Sequence, residues 1–138
     1  MITAVDTSVL LDVLLDDAKY RAASLQALRS CRSAGALMVC PVVWAEVRAT
    51  LQEPSAIGQL FGAAGIAFDP FDEACADAAG DIWRTYKRQG GTRTHLIPDF
   101  LIGAHAMVRN ARLLARDRGF FRGYFKKLSV LEPGAAKG

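Results

Sequence analysis

An α/β domain built on a parallel sheet is what this sequence predicts, and three observations predict it. Short, largely apolar runs without polar alternation, such as Ile2 to Val5 and Ala36 to Cys40, read as strands buried on both faces. Helix-length segments separate them, so strand and helix alternate along the chain, which implies helices on both faces of the sheet. The 138 residues fit one domain, and 51% of them are hydrophobic, enough to bury a real core.

The elements follow in order. Strand Ile2 to Val5 gives way at Asp6 to a helix capped by Thr7 or Ser8 and running through Leu15. A second helix is expected from Ala18 to Ser33, where Gly35 ends it. After the strand at 36–40, Pro41 suits the first turn of a third helix reaching Leu51. Pro54 restarts helical structure to Ala64, and Ile66 to Phe68 forms a brief strand. A long helix from Asp72 to Arg88 is broken by Gly90-Gly91. Pro98 and Asp99 open another through Asn110, and strands are expected at Arg112 to Ala115 and Leu128 to Leu131. The domain is expected to span 1–133, with a loose tail at 134–138.

Composition removes several classes. No apolar stretch approaches the roughly 18 to 20 residues of a membrane helix, and the first residues lack the pattern of a signal peptide. Cys31, Cys40 and Cys75 are odd in number and never form a C-x-x-C pair, so they read as reduced thiols of a cytoplasmic protein rather than a zinc site. The net charge of +3 is unevenly spread: 11 of the 17 basic residues lie between Arg84 and Lys127, with only Asp99 and Asp117 among them. Such a segment is either a solvated surface or a face for a polyanion, since clustered Lys and Arg attract phosphate backbones without a sequence code. Arg84, Arg88, Arg112, Arg116, Arg118 and Arg122 are the candidate phosphate-positioning residues.

Four acids stand out. Asp6 and Asp117 each follow the carboxyl end of an expected strand, where open α/β sheets bind their ligands. Asp99 lies in the first turn of a helix, where the dipole favours a carboxylate, yet Ile102, Gly103 and Ala106 place it on a buried face. Glu46 neighbours Val42, Val43, Ala49 and Thr50 on a face expected to pack on the sheet, so either it serves a site or it pairs with Arg48 or Arg112. Asp12, Asp72, Glu73, Asp77 and Asp81 fall on helix starts or polar faces and need no special role. If Asp6, Glu46, Asp99 and Asp117 converge, their repulsion calls for a counter-ion, and an all-oxygen donor set suits Mg²⁺ or Mn²⁺. Beside a basic face, such a metal points to phosphodiester hydrolysis.

The segments VDTSVLLDVLL, PVVWAEV, IPDFLIGAHA and RLLARDRGFFRGYF, in this order, resemble the PIN-domain ribonucleases, specifically VapC-type toxins of bacterial toxin–antitoxin pairs. The resemblance implies a three-layer α/β/α fold with a central parallel sheet of about five strands. It implies Mg²⁺-dependent cleavage of RNA, a homodimer, and inhibition by a small cognate antitoxin. Residue by residue it makes Asp6 and Asp99 metal ligands, Asp117 a fourth acid holding metal or water, Glu46 the second acid, and Thr7 and Ser8 the hydroxyls beside the first. Ala115 departs from the pattern, where relatives often carry threonine. The alternatives are a catalytically inactive RNA- or protein-binding module of the same fold and a metal-dependent phosphatase. A phosphatase of the haloacid dehalogenase type needs a carboxylate two residues after the first aspartate, where this chain has Ser8. A receiver domain lacks an acid opening a late helix. His95 and His105 are expected to be inessential.

Overall fold

The computed structural model describes residues 1–117 and 119–134. Apart from Gly134, the expected tail lies outside the described residues.

Five parallel strands form one sheet: β1 (Ile2–Val5), β2 (Ala36–Val39), β3 (Ile66–Phe68), β4 (Arg112–Leu114) and β5 (Val130–Leu131). Their order is β3-β2-β1-β4-β5, with every neighbouring pair parallel. The order reverses between β1 and β4, and that switch point opens a crevice at the strands' carboxyl ends. Thr3 to Val5, Leu37 to Val39, Leu113 and Leu114 are buried, as the apolar runs require of strands covered on both faces.

The helices are α1 (Thr7–Leu14), α2 (Arg21–Ala34), α3 (Pro41–Thr50), α4 (Ile57–Ala63), α5 (Glu73–Arg88), α6 (Pro98–Val108) and α7 (Phe120–Tyr124). They cover both faces of the sheet in three layers; α1 packs against α2 and α3, and α6 against α3 and α5. The expected order of elements stands, with local corrections. Asp6 itself, rather than Thr7 or Ser8, caps α1, because its extended backbone (φ −79°, ψ 154°) turns its own carboxylate onto the Ser8 amide. Helix α2 starts at Arg21 rather than Ala18, since Asp17 takes the amides of Lys19 and Tyr20 in a turn of its own. Helix α7 has no counterpart in the sequence reading, and β5 is shorter than expected.

An aromatic cluster fixes α6. Phe100 is fully buried, with Trp83, Phe120 and Tyr86 rings within 5.0–5.5 Å of its centroid. Burying one such side chain contributes roughly 1.5–3 kcal/mol. Gly103, one turn further, admits Phe125: a Cβ there would lie 2.6 Å from that ring. The end of α6 that carries Asp99 is thereby held against the sheet.

Candidate active site

Asp6 follows β1 and Asp117 follows β4, so the two strands at the switch point each deliver an acid to the same crevice. Asp6 is only 8% exposed. Its Oδ2 accepts a hydrogen bond from Ser8 Oγ at 2.6 Å, and Ser8 Oγ in turn accepts one from the Arg116 amide at 3.4 Å. Burial raises the Asp6 carboxyl above the usual aspartate range, against the opposing pull of the Ser8 hydrogen bonds.

Asp117 has a different surrounding. Its carboxylate accepts the amides of Gly119, Phe121 and Arg122 at 3.0–3.1 Å, and Arg122 Nη1 stands 3.6 Å away. Those three bonds nucleate α7, a five-residue helix with too little periodicity to be read from sequence. Asp117 therefore shapes the loop as well as facing the site.

Asp99 lies in the first turn of α6 but does not cap it; Ile97 is the cap residue and uses no side chain. Among the described residues no donor reaches the half-buried Asp99 carboxylate. Burial pushes it above the ordinary aspartate range, and the charges of Asp6, Glu46 and Asp117 push the same way, with Arg93 opposing them. The four acids singled out by sequence thus act on one another. Arg93, in the loop before α6, is a neighbour that the sequence reading missed. Lys87 Nζ holds that loop by donating to the carbonyls of Gly91 and Arg93 at 3.0 and 2.9 Å.

The expectation for Glu46 needs correcting. It is exposed rather than packed on the sheet, and neither suggested arginine pairs with it. Arg48 donates to the Pro54 carbonyl and Arg112 to Thr3 Oγ1. Its partner is Thr7, whose Oγ1 donates to Oε1 at 2.7 Å. The two hydroxyls after Asp6 therefore have separate tasks, one orienting Asp6 and the other Glu46.

A hard cation fits the donor set by chemistry: four oxygen acids, of which Asp99 has no hydrogen-bond donor among the described residues and is raised by burial and by the other three. Among the described residues, no three His, Cys, Asp or Glu side chains stand close enough to grip an ion between them. Mg²⁺ tolerates such an arrangement, because it keeps several waters and takes one or two carboxylates directly.

Among the described residues, five of the six arginines can be placed, and they do not converge. Arg84 and Arg88 are exposed on α5. Arg116 is committed, with Nε and Nη2 each 2.8 Å from the two oxygens of Asp12 and its guanidinium 4.1 Å above the Tyr20 ring. Asp12, expected on a polar face, is instead buried and also accepts Ser24 Oγ at 2.6 Å. Arg122 bonds Glu132 at 3.0 Å and the Val130 carbonyl. Arg112 pairs in register with Thr3, at the opposite end of the sheet from the acids. Arg118 lies outside the described residues. A second cluster also escaped the sequence reading: buried His105 Nε2 meets Asp69 at 2.7 Å, and Arg109 bridges Asp69 and Asp72 at 2.7 and 2.9 Å. Cys31, Cys40 and Cys75 are free thiols, all buried.

Comparison with known proteins agrees with this architecture. Solved structures superpose along nearly the whole chain. VapBC2 from Rickettsia felis, bound to promoter DNA, matches at TM-score 0.75 and 17% identity, covering 96% of this chain and 98% of that one. FitAcB from Neisseria gonorrhoeae matches at 0.69 and 23%, covering 98% and 99%. The sarcin-ricin loop cleaving toxin VapC20 from Mycobacterium tuberculosis matches at 0.61 and 13%, covering 88% and 94%. A search of curated proteins by sequence finds no match. The PIN domain family model matches residues 3–126, a span that holds all four acids and every strand but the last, and the chain belongs to that family.

Proposed function

We propose that this protein is a Mg²⁺-dependent endoribonuclease acting as the toxin of a toxin–antitoxin pair. The observation that carries the reading is Asp99: a half-buried carboxylate without a hydrogen-bond donor among the described residues, raised by burial and by three further acids. A protein gains no stability from gathering like charges in this way, whereas a divalent cation repays it. Mg²⁺ or Mn²⁺ held there supplies a Lewis acid for a phosphoryl oxygen and an acidified water.

Asp6 and Asp99 are the residues that would hold the metal, with Asp117 holding metal or water. Ser8 fixes the rotamer of Asp6, and Thr7 fixes that of Glu46. Glu46, exposed and oriented, is suited to accept the proton of an attacking water. Arg93, whose charge reaches Asp99, is the cation available for the strand's phosphates near this end, and Arg84 and Arg88 are further exposed cations on α5. The resemblance and the solved toxin–antitoxin complexes support a cognate antitoxin as partner, and the resemblance alone implies a homodimer as the assembly. An apolar groove of about 580 Å³ between α1, α2 and α4, lined by Leu10, Leu14, Leu25, Leu28, Leu60 and Phe61, suits an antitoxin helix. A basic side chain of that partner, best an arginine, plugs the acids, so excess Mg²⁺ weakens the complex.

The test is RNA cleavage with and without Mg²⁺ by wild type and Asp6→Asn. Metal-dependent cleavage that falls at least about 100-fold in the variant, with an unchanged circular dichroism spectrum, is expected. Undiminished cleavage by Asp6→Asn overturns the assignment. A non-catalytic RNA- or protein-binding module is the second reading, favoured by the absence of a closed metal cage among the described residues. It predicts RNA or partner binding without cleavage under any divalent ion.

A further inference from the structure

At the amino-terminal edge of the sheet, on the far side from the acids, lies a second cavity of about 310 Å³. Arg112, Lys127, Ser129 and Asn110 supply its polar wall, Met1, Met107 and Leu128 contribute apolar surface, and among the described residues no carboxylate lines it. We propose that this cavity binds a phosphate group, presented either by the RNA strand or by a free phosphorylated small molecule.

Charge separates Arg112 from the arginines on either side of it in the chain. Arg109, Arg116 and Arg122 each have a carboxylate partner within 3.0 Å. Arg112 and Lys127 pair with no carboxylate among the described residues. Arg112 is also held in place: it is half-buried, and its Nε donates to the fully buried Thr3 Oγ1 at 2.9 Å. That bond fixes the guanidinium plane, and among the described residues nothing else engages its terminal nitrogens. A planar fork already immobilised loses little freedom on meeting two phosphate oxygens. Lys127 adds a second charge, and the Ser129 hydroxyl and Asn110 amide add neutral donors. The volume is that of a small-ligand cleft rather than a surface dimple.

Position argues for a role separate from cleavage. Arg112 opens β4 and Asp117 follows its other end, so five residues of extended chain, roughly 15 Å, divide the cavity from the acids. One phosphate cannot contact both ends. A strand several nucleotides long could occupy both.

The experiment titrates inorganic phosphate into the metal-free wild-type protein while following the backbone amides by nuclear magnetic resonance. Saturable shifts at residues 110–113 and 127–129 are expected, with affinity about 5-fold weaker in Lys127→Gln. Arg112→Gln tests the second cation; if losing its Thr3 bond impairs folding, the exposed Lys127 still decides the matter. Shifts that are absent, do not saturate, or survive Lys127→Gln unchanged overturn the proposal. The source is resolved with Asp6→Asn protein and two RNAs, one too short to span both ends and one long enough. Weakening of only the longer RNA by Lys127→Gln, with a salt slope smaller by about 0.7, assigns the cavity to the strand. Saturable phosphate binding with both RNAs unaffected assigns it to a free small molecule. Neither arm requires the acids to cleave RNA.

Discussion

Around Asp12 and around Asp69 every carboxylate finds a cation at hydrogen-bond distance, whereas among the described residues Asp6 is bonded only by hydroxyl and amide groups and Asp99 chiefly meets other acids. Asp12 is buried, yet Arg116 meets it bidentately and Ser24 supplies a further donor. Asp72 caps α5 through the Cys75 amide and pairs with Arg109, and these contacts, Cys75 foremost, hold its carboxyl down at about 2. Burial works to raise Asp69, but hydrogen bonds from Arg109 and His105 prevail and lower it. At the strand ends the balance reverses, and both Asp6 and Asp99 are raised. One chain thus contains acids whose charge supports the fold and acids whose charge opposes it. The second kind marks where a cation from outside is wanted.

The largest test of this contrast is Arg116→Ala. It leaves Asp12 buried without its cation, and a loss of about 3–5 kcal/mol in urea unfolding is expected. An unchanged midpoint would place Asp12 among the exposed acids and remove half of the comparison. Next comes the metal itself. Mg²⁺ at 100 times its dissociation constant stabilises a protein that binds it only when folded by about 2.7 kcal/mol. A thermal melt should show this gain in wild type and lose it in Asp99→Asn.

Without metal, Asp99→Asn should itself stabilise the fold at neutral pH, on the order of 1 kcal/mol, because one of the mutually repelling charges is gone. The sign follows from linkage. Asp99 holds its proton more tightly folded than unfolded, so its ionisation opposes folding as pH rises through and above 3.8, and the variant's advantage fades below that value. Asp72 behaves in the opposite way. Its folded value of about 2 lies below its unfolded 3.8, so its contribution is present above pH 3.8 and lost as pH falls through 2. The smallest effect is that of His105. Burial lowers its pKa, so below about pH 6.5 the unfolded chain takes up a proton that the folded one refuses, and stability declines slightly toward acid. Replacement by Gln should remove that slope from melts taken between pH 5 and pH 7.

Much of this was legible before any coordinates. Apolar runs without alternation announce parallel strands, and an acid at the end of such a run announces a crevice residue, so Asp6 and Asp117 could be read directly. Asp99 was legible from the small, apolar face that follows it. Glu46 was found for a wrong reason, since its side chain is exposed and not packed on the sheet. Asp12 was missed because a single acid on an amphipathic helix looks solvent-facing until the partner across the sheet is known. Helix α7 was missed because Asp117 creates it through three backbone amides rather than through any pattern in FFRGY.

Local sequence determined the order of strands and helices, the cap at Asp72, the helix start at Pro41, and which acids follow strands, because periodicity and backbone preference act over a few residues. Tertiary structure alone decided how each charge is used. Asp12 and Arg116 are 104 residues apart, and Arg112 and Thr3 are 109 apart. Whether an arginine neutralises a buried acid, braces a threonine or stays open to a phosphate depends on which strands lie side by side. Coulomb energy and desolvation follow distance in space, and nothing in local spacing encodes that distance.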